Sequence, residues 1–151
     1  MKFKSTGIFR YSPPLNRHGT LIRRDGQTTK WWLIIECDPE LGRYLRYQFK
    51  IKTYQTQSVQ APLWGTHISV IRNEEPPLKT NWEKLQAQEI EFEYDSTIQE
   101  TEGYLWVAVQ CEAALKHRAE LGLSPEPELP LHLTLGNLKK AHLPLPTISN
   151  N

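Results

Sequence analysis

Two histidines occupy the same four-residue frame of histidine, apolar, hydroxyl and apolar residues: His67-Ile-Ser69-Val and His132-Leu-Thr134-Leu. Alternate side chains of a β-strand share a face, so each frame would present an imidazole and a hydroxyl together and bury its aliphatic pair. Two such strands around one substrate would supply an acid, a base and two hydroxyl donors. That combination indicates metal-free chemistry on a phosphodiester.

The residue types define the roles. Histidine has an ordinary pKa of about 6.5, so at neutral pH one imidazole can be neutral and the other protonated. The neutral one would take a proton from water or a ribose 2′-hydroxyl, and the other would protonate the leaving oxygen, each contributing roughly 10²–10⁴-fold. Either histidine could be the acid, because the frames are nearly symmetric. Ser69 and Thr134 would bind the non-bridging phosphate oxygens. We expect no metal and no other cofactor, since no His-x₃-His or Cys/His cluster lies near His67 or His132.

A third frame, His18-Gly19-Thr20, lies in a Pro- and Gly-marked loop and has glycine in place of the apolar residue. We interpret His18 as a loop histidine. His117 falls in a predicted helix and His142 in the C-terminal tail, where solvent exposure is the simple expectation.

Composition limits the classes of function. The 151 residues are enough for one domain, and 18 basic against 17 acidic side chains give a net charge of +1. This balance argues against a protein that grips long duplex nucleic acid, whereas a small anionic substrate fits it. No apolar run approaches the roughly 20 residues of a membrane span, and we find no signal-peptide pattern. We therefore expect a cytoplasmic protein with no membrane partner, in which Cys37 and Cys111 are reduced core residues.

Periodicity and breakers predict the elements that must position the histidines. We expect an extended segment and loop over 1–19, a β-hairpin from 21–24 and 30–37 around the Asp25-Gly26 turn, and a helix over 39–50 capped by Asp38. Further strands are predicted at 66–72, 90–94 (an edge strand), 104–110 and 131–136, with helices at 81–86 and 112–121. Residues 53–63 and 124–130 read as connections, and 143–151 as a flexible tail.

The order of these elements repeats. The hexapeptide from Trp32 to Cys37 aligns with that from Trp106 to Cys111. Each is followed by a helix, a proline-bearing connection and a histidine frame. The sequence thus predicts one bilobed domain over residues 1–151, with diverged halves at about 30–72 and 104–136.

Paired His-x-Ser/Thr strands in two strand–helix–strand halves resemble the 2H phosphoesterase superfamily. The strings His67-Ile-Ser-Val-Ile-Arg72 and Leu131-His-Leu-Thr-Leu-Gly136 are similar to the motif strands of small phage-type members, which include the anti-CBASS phosphodiesterases that destroy cyclic oligonucleotide signals. The resemblance covers roughly residues 30–138. It implies an α+β fold of two antiparallel-rich sheets in a V around a central cleft, with helices outside.

The resemblance also implies a catalytic pair, His67 and His132, with Ser69 and Thr134 as phosphate ligands. The implied activity is metal-independent cleavage of a small nucleotide phosphodiester, preferably a cyclic oligonucleotide or a cyclic phosphate. For a phage protein the site of action would be the host cytoplasm. The alternatives are an RNA-end processing 2′,3′-cyclic phosphodiesterase, a non-catalytic nucleotide-binding module, and a purely structural protein whose imidazoles are buried or more than about 10 Å apart.

A nucleotide substrate also needs a flat surface for its base, since stacking contributes roughly 1–3 kcal/mol per base. Trp64, three residues before His67, and Tyr11, in the N-terminal segment, are the candidates for base stacking. Arg72 stands at odd spacing from His67, so in a regular strand it would face away from the histidine. We therefore expect Arg72 to be a surface or structural arginine unless the strand bends.

Overall fold

The computed structural model describes residues 1–16, 18–23, 25–54 and 58–138. This part of the chain contains eight strands and two helices, and the α+β class is confirmed. In chain order they are β1 (Lys2–Tyr11), β2 (Trp32–Cys37), α1 (Pro39–Lys52), β3 (Val59–Gln60), β4 (His67–Arg72), β5 (Glu89–Asp95), β6 (Gln99–Thr101), β7 (Tyr104–Gln110), α2 (Glu112–Glu120) and β8 (His132–Leu138).

The strands form one antiparallel sheet in the order β3-β8-β4-β2-β1-β5-β7-β6. An additional pairing of β7 with β8 closes six of them, β8, β4, β2, β1, β5 and β7, into a barrel. The expected V of two separate sheets is not confirmed, because this pairing joins both halves into a continuous surface. The two motif strands, β4 and β8, lie side by side in it.

The two faces of this sheet differ sharply. One face is apolar and packs with both helices into a single buried cluster. Its strand members include Leu33, Ile35, Ile68, Val107 and Leu133. Leu45 and Ala114 come from the helices, and Leu121 is the C-terminal cap of α2. Residues of the opposite parity, including both histidines of the frames, lie on the other face. The helices and the histidines are therefore on opposite sides of the sheet.

Helix α1 begins as predicted. The Asp38 carboxylate accepts a hydrogen bond from the Glu40 amide at 2.9 Å, and Pro39 occupies the first helical turn. A cap of this kind satisfies one of the amides that the first turn leaves without a partner. Within the helix, a side chain on Gly42 would collide with Thr66, the residue before His67. Close packing of α1 against the start of β4 therefore requires glycine there.

Four predicted elements differ from the structure. The predicted short extended segment at the N-terminus is a ten-residue strand, β1, which is followed by irregular chain. Strand β2 pairs with β1 and β4 rather than in the predicted hairpin, and among the described residues of that hairpin an isolated Ile22–Thr28 bridge is formed. Both edges of β2 are occupied by the longer pairings with β1 and β4, so the short run at 21–24 has no edge of β2 to pair with. Residues 81–86 form turns rather than a helix. Strand β5 is not an edge strand, since it lies between β1 and β7.

The predicted flexible tail at 143–151 and His142 lie outside the described residues. Both cysteines are free and buried, as expected. Neither helix of the described chain is long and apolar enough to cross a bilayer.

Candidate active site

The two histidine frames lie opposite each other on the paired strands β4 and β8. His67 is the direct partner of Thr134, and Ile68 is the partner of Leu133. The next pair in this antiparallel register places His132 opposite Ser69. Each hydroxyl therefore faces the histidine of the other frame, and the two histidines are diagonal neighbours, with a separation of about 7–8 Å for such positions.

Both imidazoles are held in the same way. His67 Nδ1 donates to the Gly65 carbonyl at 2.8 Å, and His132 Nδ1 donates to the Pro130 carbonyl at 2.9 Å. A carbonyl oxygen only accepts, so Nδ1 carries the proton in each neutral imidazole and Nε2 keeps its lone pair. Within the described chain neither Nε2 has a hydrogen-bond partner. Each of the two imidazoles is therefore oriented by its Nδ1 bond, and its Nε2 atom could exchange a proton with a substrate.

A tight turn sets the position of His67. Residues 62–65 form this turn, closed by the Gly65 amide on the Pro62 carbonyl at 3.0 Å, and Gly65 has φ +68°. That left-handed conformation favours glycine. The turn places Trp64 and the Gly65 carbonyl beside the imidazole at the start of β4.

The two histidines differ in exposure. His67 is only 7% exposed, whereas His132 is half-buried. Burial lowers the pKa of His67 because it disfavours the charged imidazolium; the Gly65 hydrogen bond opposes this shift, and the nearby charges of His132 and Arg72 add to it. His67 is therefore biased toward the neutral form, the form that accepts a proton.

The hydroxyls are available as donors. Ser69 is buried and Thr134 half-buried, and no side-chain hydrogen bond involves either hydroxyl within the described residues. The carboxylate nearest to His67 by register belongs to Glu36, its direct partner on β2. That carboxylate accepts a hydrogen bond from Arg10 at 3.0 Å, so its negative charge is paired with the guanidinium.

Tryptophans flank both histidines. The Trp64 ring contacts His67 edge-on at 5.7 Å between centroids, and Trp106 contacts His132 at the same distance. Trp64 also packs against Trp32 at 5.1 Å, and its Nε1 donates to the Pro14 carbonyl at 3.1 Å. Trp64 therefore lies directly beside His67.

A cavity opens beside His67. It has a volume of about 720 Å³, within the usual range for small-molecule sites. Trp32, Trp64 and His67 form one wall, and the loop that contains Asn16 and Ile22 forms the other. Although His67 is little exposed, its imidazole lines this cavity, so a ligand there would touch it.

Tyr11 lies elsewhere. It is 4% exposed and pairs with Leu33, on the apolar face of the sheet. Its hydroxyl is hydrogen-bonded to His117 Nε2 at 2.5 Å and accepts from the Leu85 amide at 3.3 Å. We therefore correct the expectation that Tyr11 stacks on a base, because it is a core residue. His117 is also buried, at 1% exposure, rather than solvent-exposed.

Each motif strand carries a β-bulge directly after its hydroxyl residue. The register of β4 against β2 shifts after Ser69, and that of β8 against β7 shifts after Thr134. A bulge inserts one extra residue into a strand. The side chains beyond it therefore point to the face opposite to the one that regular alternation would give them. Arg72 pairs with Trp32 and therefore returns to the face of Ser69, and Asn137 returns in the same way on β8. Arg72 would face away from the histidine only in a regular strand, and the bulge is the irregularity that brings it to the histidine face.

An arginine on a helix holds each bulge. Arg118 of α2 donates to the Val70 carbonyl at 2.8 Å, and Arg46 of α1 donates to the Leu135 carbonyl at 3.0 Å. Each helix thus supports the motif strand of the other half. Arg118 also forms a buried ion pair with Glu74 at 2.7 Å, whereas Arg46 has no ion pair in the described chain.

The remaining features lie apart from the histidine pair. His18 is exposed in its loop. A larger cavity of about 950 Å³ borders Glu91, Glu112 and Pro130, but no imidazole lines it. Because a histidine of the frames lines the smaller cavity, we place the candidate site there. Within the described ranges, no three His, Cys, Asp or Glu side chains are grouped so as to hold a metal ion.

Three residues around the histidines were not predicted as site residues: Trp32, Trp106 and Arg72. Trp32 and Trp106 begin the two repeated hexapeptides, so their matched positions were a usable signal. For Arg72 the sequence contains no such signal, because its facing depends on a bulge.

Comparison of the chain with known protein families, with curated proteins and with solved structures gives no significant match.

Proposed function

We propose that this protein is a metal-independent phosphodiesterase of the 2H type, acting on a small nucleotide phosphodiester. The preferred substrate is a cyclic oligonucleotide signal or a cyclic phosphate. One observation carries the proposal: the matched histidines, each bonded through Nδ1 to the carbonyl two residues earlier, lie on one face of adjacent strands. In a purely structural pair we would expect the described residues to bind the two Nε2 atoms as well, and they do not.

The asymmetry in burial supports His67 as the base and His132 as the acid. His67, which is biased toward the neutral form, takes the proton from water or a ribose 2′-hydroxyl as that oxygen attacks phosphorus. The bond from phosphorus to the leaving oxygen breaks, and His132 delivers a proton to that oxygen. Ser69 and Thr134 donate to the non-bridging oxygens, where charge develops in the transition state.

The cavity beside His67 takes a nucleobase. Trp64 forms part of its wall and supplies the aromatic surface, and the loop at Asn16 and Ile22 closes the other side. Stacking of one base on tryptophan contributes roughly 1–3 kcal/mol, enough to orient a small substrate toward the histidine pair.

Within this proposal the two strand–helix–strand halves are the lobes of a 2H fold, and the pairing of β4 with β8 joins the two lobes. The protein acts in the cytoplasm, and in the host cytoplasm if a phage encodes it, where destroying a cyclic signal would counter a defence response.

The test is a screen of nucleotide phosphodiesters in the presence of EDTA, with products identified by mass. The panel contains cyclic di- and trinucleotides, 2′,3′-cyclic mononucleotides and 2′–5′ oligoadenylate. We expect turnover by the wild type and its loss in His67→Ala and His132→Ala, with binding largely kept. Lys116→Ala is the control, since it removes an exposed basic side chain from α2, on the opposite side of the sheet, and should leave turnover unchanged.

The outcomes separate the alternatives. Cleavage of 2′,3′-cyclic RNA ends alone would favour RNA-end processing. Binding without any product would indicate a nucleotide-binding module. If the wild type neither binds nor cuts any member of the panel, the proposal is wrong.

A further inference from the structure

Arg72 is an unpaired cation on the histidine face. Its side chain is exposed, and the ion pairs of the described residues do not include it. The guanidinium lies over the Trp32 ring, 5.7 Å from the centroid. Arg10, on the same face, is instead paired with Glu36. An arginine fork without a carboxylate partner is suited to bind an anionic group of a ligand.

The position of Arg72 is built into the fold. The bulge after Ser69 turns Arg72 toward the histidine face, and the buried Arg118 holds that bulge through the Val70 carbonyl. Because one residue between Ser69 and Arg72 is taken up by the bulge, the two positions are only about 7 Å apart along the strand. Arg72 is also close enough for its charge to lower the pKa of His67.

In the described part of the chain, the positions that follow the two bulges differ in charge. By register, Arg72 lies beyond the Ser69–His132 pair, at the far end of β4 from His67. The equivalent position after the other bulge is Asn137, which is neutral. A phosphate held between the two histidines therefore has a positive charge next to it in one direction along the sheet.

We propose that Arg72 binds a second phosphate of the substrate, adjacent to the scissile one on the His132 side, and so selects oligonucleotides over mononucleotide cyclic phosphates. This inference rests on the proposed function, because it takes the scissile phosphate to lie between the histidines. Arg72 acts as a binding residue and not in proton transfer.

The test compares a substrate with two phosphates and one with a single phosphate. For Arg72→Gln we expect the KM for cyclic diadenylate to rise about tenfold, as for loss of one charge-assisted contact, with the KM for 2′,3′-cyclic AMP unchanged. Arg72→Lys should recover part of the loss. Arg43→Gln, an exposed arginine on α1, is the control for the change in net charge. Equal losses on both substrates, or no loss on cyclic diadenylate, would overturn the proposal.

A binding measurement separates this inference from the proposed function. Calorimetry with cyclic diadenylate on the His67→Ala protein should show a similar tenfold weakening when Arg72→Gln is added. If the wild type cuts nothing but this weakening is observed, the phosphate site stands and the enzyme proposal fails. If cyclic diadenylate binds equally with and without Arg72, or does not bind, the inference is wrong.

Discussion

Replacing Arg118 with leucine should lower the free energy of unfolding by about 4 kcal/mol. The side chain is 3% exposed, and its guanidinium donates to the Val70 carbonyl at 2.8 Å, to Glu74 at 2.7 Å and to the Ser124 carbonyl at 2.7 Å. Leucine removes the bonds to all three partners at once. The Val70 carbonyl is then left without its partner inside the fold, whereas Glu74 and Ser124 are partly or fully open to water. The β4 bulge would lose its support from α2.

The magnitude follows from the kinds of bond lost. Breaking a buried ion pair by removing one partner costs about 3–5 kcal/mol, and each stranded buried carbonyl about 1–3 kcal/mol. The Glu74 side chain is 32% exposed, so water can solvate part of its charge once the arginine is removed. The total cost is therefore lower than the sum of these separate costs. For a chain of this size, about 4 kcal/mol corresponds to a fall in Tm of roughly 8–16 °C.

Urea unfolding followed by tryptophan fluorescence and circular dichroism measures the effect. Arg46→Leu is the matched control, because Arg46 supports the other bulge through one carbonyl bond and has no ion pair in the described chain. It should cost only about 1 kcal/mol. Glu74→Gln, which removes the charge but keeps an acceptor, should fall between the two. If Arg118→Leu and Arg46→Leu are equally destabilising, the buried ion pair does not stabilise the bulge as argued.

Two further predictions concern the site and the core. Because burial lowers the pKa of His67, the acid limb of kcat/KM should lie below about pH 6.5, and a limb above that value would contradict the role of His67 as base. The lowered pKa of His67 also predicts that the free energy of unfolding falls as the pH drops from about 6.5 through that pKa, because the unfolded chain binds the proton more readily than the folded one. In His67→Gln this decrease in the free energy of unfolding should be smaller. Tyr11→Phe should cost about 1–2 kcal/mol in urea unfolding, because it breaks the buried bond to His117, and should leave kcat/KM unchanged. A loss of kcat/KM in a stable Tyr11→Phe protein would return Tyr11 to the site.

Local signals in the sequence located most of the elements near the site. The Asp38-Pro39 pair marks the start of α1, and alternation marks β7 and the motif strands. These assignments succeeded because caps and side-chain alternation depend on residues close in the chain. The predicted hairpin failed because the partner of β2 is a strand at the N-terminus, more than twenty residues away.

The sequence by itself determined that two imidazoles and two hydroxyls lie on strand faces, since the alternation of each four-residue frame settles which side chains point together. Only the tertiary structure decided that β4 and β8 are neighbours, that Tyr11 is a core residue and that Arg72 joins the histidine face. The last depends on the bulge at Val70, whose carbonyl is bound by an arginine 48 residues further along the chain. A contact of that separation leaves no periodic trace in the sequence, because it exists only when α2 packs on β4.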